Sequence, residues 1–337
     1  MFFIGSRFRI APLALALTCF VFASPLQGQD GGGSLNRDLI GGALLIFRQP
    51  ENPPVGGGRL RGHRITPRVA KEQNRIIARA NAARSASTPR YTEAEQQYRQ
   101  AAELDPTDAR SYAGLGNVYL DQGKFNDAIE QYRKAIKLKA DYSDALMPLG
   151  YALVRLNRLP EAIETYDRAL KVEPDNPEIY NNLGYLYNHT GRYSEAVAAC
   201  LEAIRLLGQT GEAFKQGYQT RQEVLSHAYK NLGNAYSGMK NYEEAAKALR
   251  QATTIEPNSA SAFFNLGLTL YTGRRYSEAI EAYKEVIKLR PTLAAARFNL
   301  GLAYLAIHDK KAATAEYDAL KPLDAKAAEQ LRVMIRQ

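Results

Sequence analysis

The dipeptide Leu-Gly recurs at 115–116, 149–150, 183–184, 232–233, 266–267 and 300–301, at intervals of 34, 34, 49, 34 and 34 residues. An alanine keeps the same beat 13 residues after each leucine, at Ala128, Ala162, Ala196, Ala245, Ala279 and Ala313. A fixed period of this length means one supersecondary unit used repeatedly, each copy burying its apolar face against its neighbours. Ala94 marks an earlier unit whose first helix, around 68–86, lacks the Leu-Gly, which brings the count to about seven.

A single unit shows how the chain folds locally. In YKNLGNAY (229–236), Tyr229, Leu232, Gly233 and Tyr236 lie at i, i+3, i+4 and i+7, one stripe of an α-helix. Ala245, Leu249 and Ala252 form the stripe of a second helix, GMKNY (238–242) is the turn between the two, and Pro257 closes the unit. Pro106, Pro174 and Pro291 close others, while Ala140 and Gly208 stand at the corresponding places of two more. Glycine inside a helix costs about 1 kcal/mol against alanine, so its recurrence at one phase calls for a packing reason. The expectation is close approach, with the small alanine of the second helix facing the bare glycine of the first.

These markers, Leu-Gly-x-x-Tyr followed by Ala, Tyr, Ala and Pro in 34 residues, resemble the tetratricopeptide repeat. The resemblance spans roughly 75–325 and implies an all-α fold. That fold is a right-handed superhelical solenoid of about seven helix–turn–helix units, with the first helices lining a concave groove. DAKAAEQLRVMIR (324–336) reads as a C-terminal capping helix, because repeat arrays need a polar end. The organisation expected is a leader at 1–28, a Gly/Pro-rich basic segment at 29–67, the repeat array at 68–323 and the cap at 324–337.

The net charge of +9 is local rather than general. Residues 29–90 hold 11 basic side chains against four acidic ones, the first 28 hold only Arg7 and Arg9, and the remainder is balanced. Two arginines followed by the apolar run Ile10–Ala23, 14 residues long, have the form of an export signal and fall short of a membrane span. Cleavage after Ala23 or after Gly28 fits equally. The localisation expected is therefore periplasmic, extracellular or envelope-associated, with no stable membrane span after cleavage and with peripheral envelope contact open to the basic arm. With three glycine clusters and Pro50, Pro53 and Pro54, residues 29–67 read as a basic tether. Without aromatic interleaving in an exported chain, they do not point to nucleic acid. Removal of the leader takes Cys19 and leaves Cys200 alone among apolar helix positions, a small core residue rather than a nucleophile.

Two places break the regular beat. The 49-residue step carries 15 extra residues within about 209–225, which either lengthen the next first helix or project as a loop. Pro148 sits inside a first helix, where it removes a backbone hydrogen bond. Both predict local irregularity.

Catalytic chemistry is nearly absent from the pattern. His63, His189, His227 and His308 have no metal-ligand spacing, and neither a phosphate-cradling glycine motif nor a Gly-x-Ser-x-Gly elbow is present. Glu243, Glu244, Glu278, Glu281 and Glu285 read as solvated second-helix faces paired with lysines. No catalytic residue, metal or cofactor is expected, and the chain is not expected to be an enzyme.

The regularity instead predicts a binding surface. About 200° around the helix from the packing stripe, His227, Lys230, Asn231 and Asn234 form a second stripe. Its counterparts are Glu178, Asn181, Asn182 and Tyr185 in the preceding unit; Ser261, Phe264, Asn265 and Leu268 in the next; and Ala295, Phe298, Asn299 and Leu302 in the last. The resemblance places this face in the groove, giving a row of asparagines (Asn182, Asn231, Asn265, Asn299) with an apolar floor toward the C-terminal end. Amides offer both donor and acceptor, which suits an extended peptide backbone; the same amides also suit bridges between neighbouring helices. Family members that bind chaperone tails hold a terminal carboxylate with Lys and Asn on one repeat, Asn on the next, and Lys and Arg on a third. Lys230, Asn234 and Asn265 match the first two parts. Ala295 and Asn299 stand where the third needs cations, and Arg297 is out of phase, so that clamp is not expected. The function expected is an exported scaffold holding a partner peptide or helix in its groove. The alternative is a structural subunit of an envelope or secretion assembly that docks by its outer surface and basic arm.

Overall fold

The computed structural model describes residues 66–209, 215–216 and 219–337. The expected leader at 1–28, nearly all of 29–67 and part of the insertion lie outside the described residues. Fifteen helices follow one another among the described residues. They pair as α1 (Pro67–Arg84) with α2 (Tyr91–Leu104), α3 (Ala109–Asp121) with α4 (Phe125–Leu138), α5 (Ser143–Arg155) with α6 (Leu159–Val172) and α7 (Pro177–His189) with α8 (Tyr193–Gln209). The series continues as α9 (Arg221–Gly238) with α10 (Tyr242–Ile255), α11 (Ala260–Thr272) with α12 (Tyr276–Leu289) and α13 (Ala294–Ala306) with α14 (Lys310–Leu320), and α15 (Ala325–Arg336) ends it. The result is an all-α solenoid of seven helix pairs and a terminal helix.

Local chemistry sets the helix ends. Asp108, Asn176 and Asp324 accept backbone N–H bonds at the starts of α3, α7 and α15, and Thr220 with Glu223 forms a reciprocal capping box at α9. In six of the seven pairs, from α3 onward, the turn bends at the same phase, eight residues after the Leu of Leu-Gly. Gly123, Asn157, Gly191, Lys240, Arg274 and His308 occupy it, all with φ between 57° and 74°. Two are glycine and one is asparagine, residues that tolerate this left-handed conformation; the other three adopt it because the repeat geometry requires it.

The glycines of Leu-Gly do mark close approach, but their neighbour is not the alanine methyl. An added Cβ on Gly116 would lie 2.5 Å from the Tyr132 ring, on Gly150 2.6 Å from Tyr166, and on Gly267 2.7 Å from Tyr283. The missing side chain admits a whole aromatic ring, and Tyr132, Tyr166 and Tyr283 are almost fully buried as a result. In the last unit this neighbour comes from α15: Leu331, not Tyr317, covers Gly301, so the terminal helix completes the core.

The two irregularities resolve differently. α5 runs unbroken through Pro148, with Leu146, Met147 and Leu149 buried around it. The inserted residues lengthen both flanking helices, α8 to 17 residues and α9 to 18. Between them β1 (Lys215–Gln216) pairs antiparallel with β2 (Gln219–Thr220).

Candidate functional site

The candidate residues read from the sequence lie on the first helices α7, α9, α11 and α13, but the structure does not hold them on one open face. Most of them are more enclosed than a free groove lining would be. Asn181, His227, Lys230, Asn231, Phe298 and Asn299 are buried, whereas Asn182, Tyr185, Asn234, Phe264 and Asn265 are half-buried.

Hydrogen bonds explain part of that enclosure. Asn231 is 3% exposed and donates from Nδ2 to Asn181 Oδ1 at 2.9 Å, while Asn188 Nδ2 donates to the Asn231 carbonyl at 2.8 Å. α7 and α9 are thus joined by an amide bridge beneath the face. The next step up the array is lighter: Asn265 Nδ2 donates to Asn234 Oδ1 at 3.0 Å, and Ser237 and Thr269 pair at 2.8 Å. Lys230 Nζ stands 3.5 Å from Ser261 Oγ, again across neighbouring first helices. His227 Nδ1 is buried without a partner, and burial, with Lys230 beside it, pushes the imidazole down to about 3, so it is neutral throughout the ordinary pH range.

The aromatic residues divide. Tyr185 lies against the His189 ring, 4.3 Å between centroids, on the half-open part of the face. Phe264 meets Tyr283 edge to face at 5.9 Å. Phe298 belongs to the cluster of Leu320, Ala327, Ala328 and Leu331 under the terminal helix and does not stand beside the other candidates. Asn299 is buried and Asn182 half-buried on the first helices of their own units, away from the bonded pairs.

Sequence reasoning missed Asn188 and assigned no role to Ser261 and Glu178, which it had placed in the stripe. Asn188 and Ser261 bridge helices, which spacing alone does not reveal. Glu178 sits in the candidate stripe but is 3% exposed, and its Oε1 has no hydrogen-bond partner. Its signal was present in the sequence as a charge at the phase that elsewhere carries Ser261 and Ala295.

Nothing in this arrangement resembles a catalytic constellation. Burial pushes the Cys200 thiol up to about 12, which keeps it protonated and inert. The second-helix glutamates pair with cations as their spacing indicated, for example Lys247 with Glu244 at 2.8 Å and Lys284 with Glu281 at 2.8 Å. Among the described residues, no helix is long and apolar enough to cross a membrane.

The profile described as tetratricopeptide repeat matches residues 113–170, 147–209, 230–294 and 274–328, and a second, described as TPR repeat, matches 90–123. Together they take in well over half of the chain. The chain belongs to the tetratricopeptide repeat family. Solved TPR structures share its fold. One is a tetratricopeptide repeat protein from Parabacteroides merdae, 14% identical, matching 79% of this chain and 100% of its own with a TM-score of 0.56. PilF of Pseudomonas aeruginosa is 22% identical over 68% of this chain and 98% of its own, with a TM-score of 0.54. PilW, described as a widely conserved type IV pilus biogenesis factor, is 20% identical over 67% of this chain and 98% of its own, with a TM-score of 0.56. No curated protein matches the sequence. As a TPR protein the chain has the architecture of a protein–protein interaction scaffold, whose partners are proteins or peptides.

Proposed function

We propose that this TPR protein is an exported adaptor that holds an extended segment of a partner protein in its concave groove. The observation that carries this reading is the pair Asn234 and Asn265. Their single mutual bond leaves Nδ2 of Asn234 and Oδ1 of Asn265 uncommitted on half-buried residues of adjacent helices. A donor and an acceptor side by side match the N–H and C=O of a peptide unit and grip backbone whatever side chains it bears. Asn182, Tyr185 and Phe264, also half-buried, extend the surface in both directions. Export is supported by the form of residues 1–28, with two arginines and the apolar run that follows.

The test uses short peptides of random sequence arrayed in extended form. Asn234→Ala combined with Asn265→Ala is expected to weaken binding at least about tenfold, the equivalent of about 1.4 kcal/mol, with no change in helicity. Unchanged binding by the double variant would count against the groove. N-terminal sequencing of the protein from an envelope fraction tests the export half: an N-terminus at Met1 would refute cleavage.

A second reading, a structural subunit of an envelope or secretion assembly, is favoured by the likeness to PilF and PilW, the latter described as a pilus biogenesis factor. On that reading, deletion of 29–67 releases the protein from its assembly while the double asparagine variant stays bound.

A further inference from the structure

Two adjoining cavities lie on the second helices, away from the first helices that carry the asparagines. One, of about 430 Å³, is lined by Asn126, Glu130, Arg133, Lys134 and Lys137 of α4 and by Arg158 just before α6. The other, of about 420 Å³, shares Arg133 and Lys137 and crosses to Glu161, Glu164, Thr165 and Arg168 on α6. Buried Leu149 and Leu153 of α5 close its floor. Together they make one trench between α4 and α6. Its cations are within reach of solvent, with Arg133, Lys134 and Lys137 exposed and Arg158 and Arg168 half-buried.

Part of this charge is stitching that the repeat also uses elsewhere. Glu161 pairs with Arg133 at 2.8 Å and with Arg158 at 2.7 Å. At the same repeat positions of α10 and α12, Glu278 pairs with Arg250 at 2.7 Å and with Arg275 at 2.6 Å. The remainder is peculiar to the trench. Its ten charged or polar positions hold five cations against three acids. The same ten positions in the five other successive pairs of second helices hold two or three cations against two to four acids, with a cationic excess in none. In α10 and α12, Glu243 stands at the place of Asn126 and takes a further bond from Arg275 at 2.7 Å, and Glu285 stands at the place of Arg168. Lys134 has Glu130 at 2.7 Å. Lys137 and Arg168, on facing helices and lining one cavity, have no carboxylate partner among the described residues; Arg168 reaches the Ala140 carbonyl at 3.3 Å. Glu164 lines the same cavity without pairing with either.

We propose that this trench docks an acidic, extended segment of a partner protein, whose carboxylates meet Lys137 and Arg168. Its cations are strung along α4 and across to α6, which suits a row of carboxylates better than one convergent phosphate. They also flank a recess with an apolar floor, where a flat membrane surface could not follow them. The chain's own N-terminal segment is itself basic and does not complement the trench, so the occupant comes from another protein. This surface is independent of the groove.

The test titrates the full chain with a fluorescent Asp/Glu peptide, its Asn/Gln counterpart, inorganic phosphate, and phosphatidylcholine vesicles with and without phosphatidylserine. The acidic peptide should bind, the amide peptide should not, and binding should weaken as salt rises. Lys137→Gln with Arg168→Gln, which breaks no ion pair among the described residues, should weaken binding about fivefold or more at unchanged helicity. Asn126→Glu, which supplies the carboxylate that Glu243 supplies to Arg275, should weaken it without removing a cation. Lys310→Gln with Lys311→Gln, removing the same charge from α14, should leave it unchanged, as should Asn234→Ala with Asn265→Ala. No binding of the acidic peptide, binding that survives Lys137→Gln with Arg168→Gln, or an equal loss in the α14 variant overturns the trench. So does binding of phosphate or phosphatidylserine vesicles, but not the peptide, through Lys137 and Arg168.

Discussion

Cys200 Sγ lies where a methyl group on Gly184 would have to be: an ideal Cβ there comes within 2.5 Å of it. The thiol is fully buried and has nowhere to move, so the pair is a fixed contact between α7 and α8. Gly208, in the last turn of α8, has nothing within 4 Å of the same construction. Gly184→Ala should therefore destabilise by about 1–3 kcal/mol through overpacking. Gly208→Ala should stabilise by up to about 1 kcal/mol through helix propensity alone. Denaturant midpoints measure both. Cys200→Ala added to Gly184→Ala should recover much of the loss, and additive effects of the two changes would show that the contact is not what constrains Gly184.

Glu178 makes stability fall as pH rises. Its folded carboxyl is raised to about 8 from an ordinary 4.5, so between those values the folded state keeps a proton that the unfolded chain has lost. The stabilisation is complete below about 4.5 and drains away up to about 8, at a slope approaching about 1.4 kcal/mol per pH unit. His227 acts at the other end, its depressed pKa withdrawing stability as pH falls from 6.5 toward about 3. Unfolding curves of wild type and Glu178→Gln across pH 5–8 isolate the first effect. The difference between them should shift steadily toward the variant, and parallel curves would place Glu178 in contact with solvent or with a cation.

Most of the fold was legible because the repeat encodes it redundantly. Six Leu-Gly pairs, six alanines and the closing prolines report the same geometry, and losing one marker, such as Ala140 for a proline, removes little. The site was less legible for a physical reason. Helical phase tells which way Asn231 and Asn234 point, but not how near the next helix lies. Proximity commits Asn231 to Asn181 and leaves part of Asn234 uncommitted, although both belong to one stripe. Glu178 illustrates the same limit, since its phase in α7 does not reveal that it is buried or that Glu173 on the preceding turn acts on it.

The shared left-handed turn predicts a gain from glycine. Arg274 holds φ at 63°, a conformation that costs a side-chain-bearing residue about 1–2 kcal/mol. Its equivalents Gly123 and Gly191 adopt it freely. Arg274→Gly should raise the melting temperature, by a net of about 0.5–1 kcal/mol once the greater freedom of the unfolded glycine is subtracted. The same change at Asn157 should gain less, because asparagine already tolerates the conformation. Equal responses at the two sites would mean that backbone strain is not what the substitution relieves.

Asn231 and Asn234 differ by three positions and should differ in kind. Asn231→Ala removes the donor to Asn181 and leaves a buried acceptor unsatisfied, which costs about 1–3 kcal/mol. The bond from Asn188 reaches the Asn231 backbone carbonyl and survives the substitution, so α7 and α9 stay joined, though less firmly. Asn234→Ala breaks a bond between half-buried side chains, where solvent can replace the lost partner, and should cost well under about 1 kcal/mol. Thermal unfolding by circular dichroism orders the two directly. On the groove reading, peptide binding orders them the other way, with Asn234→Ala losing affinity at unchanged stability. Loss of binding in Asn231→Ala alone, in proportion to its loss of stability, would instead identify the asparagine row as scaffolding between helices.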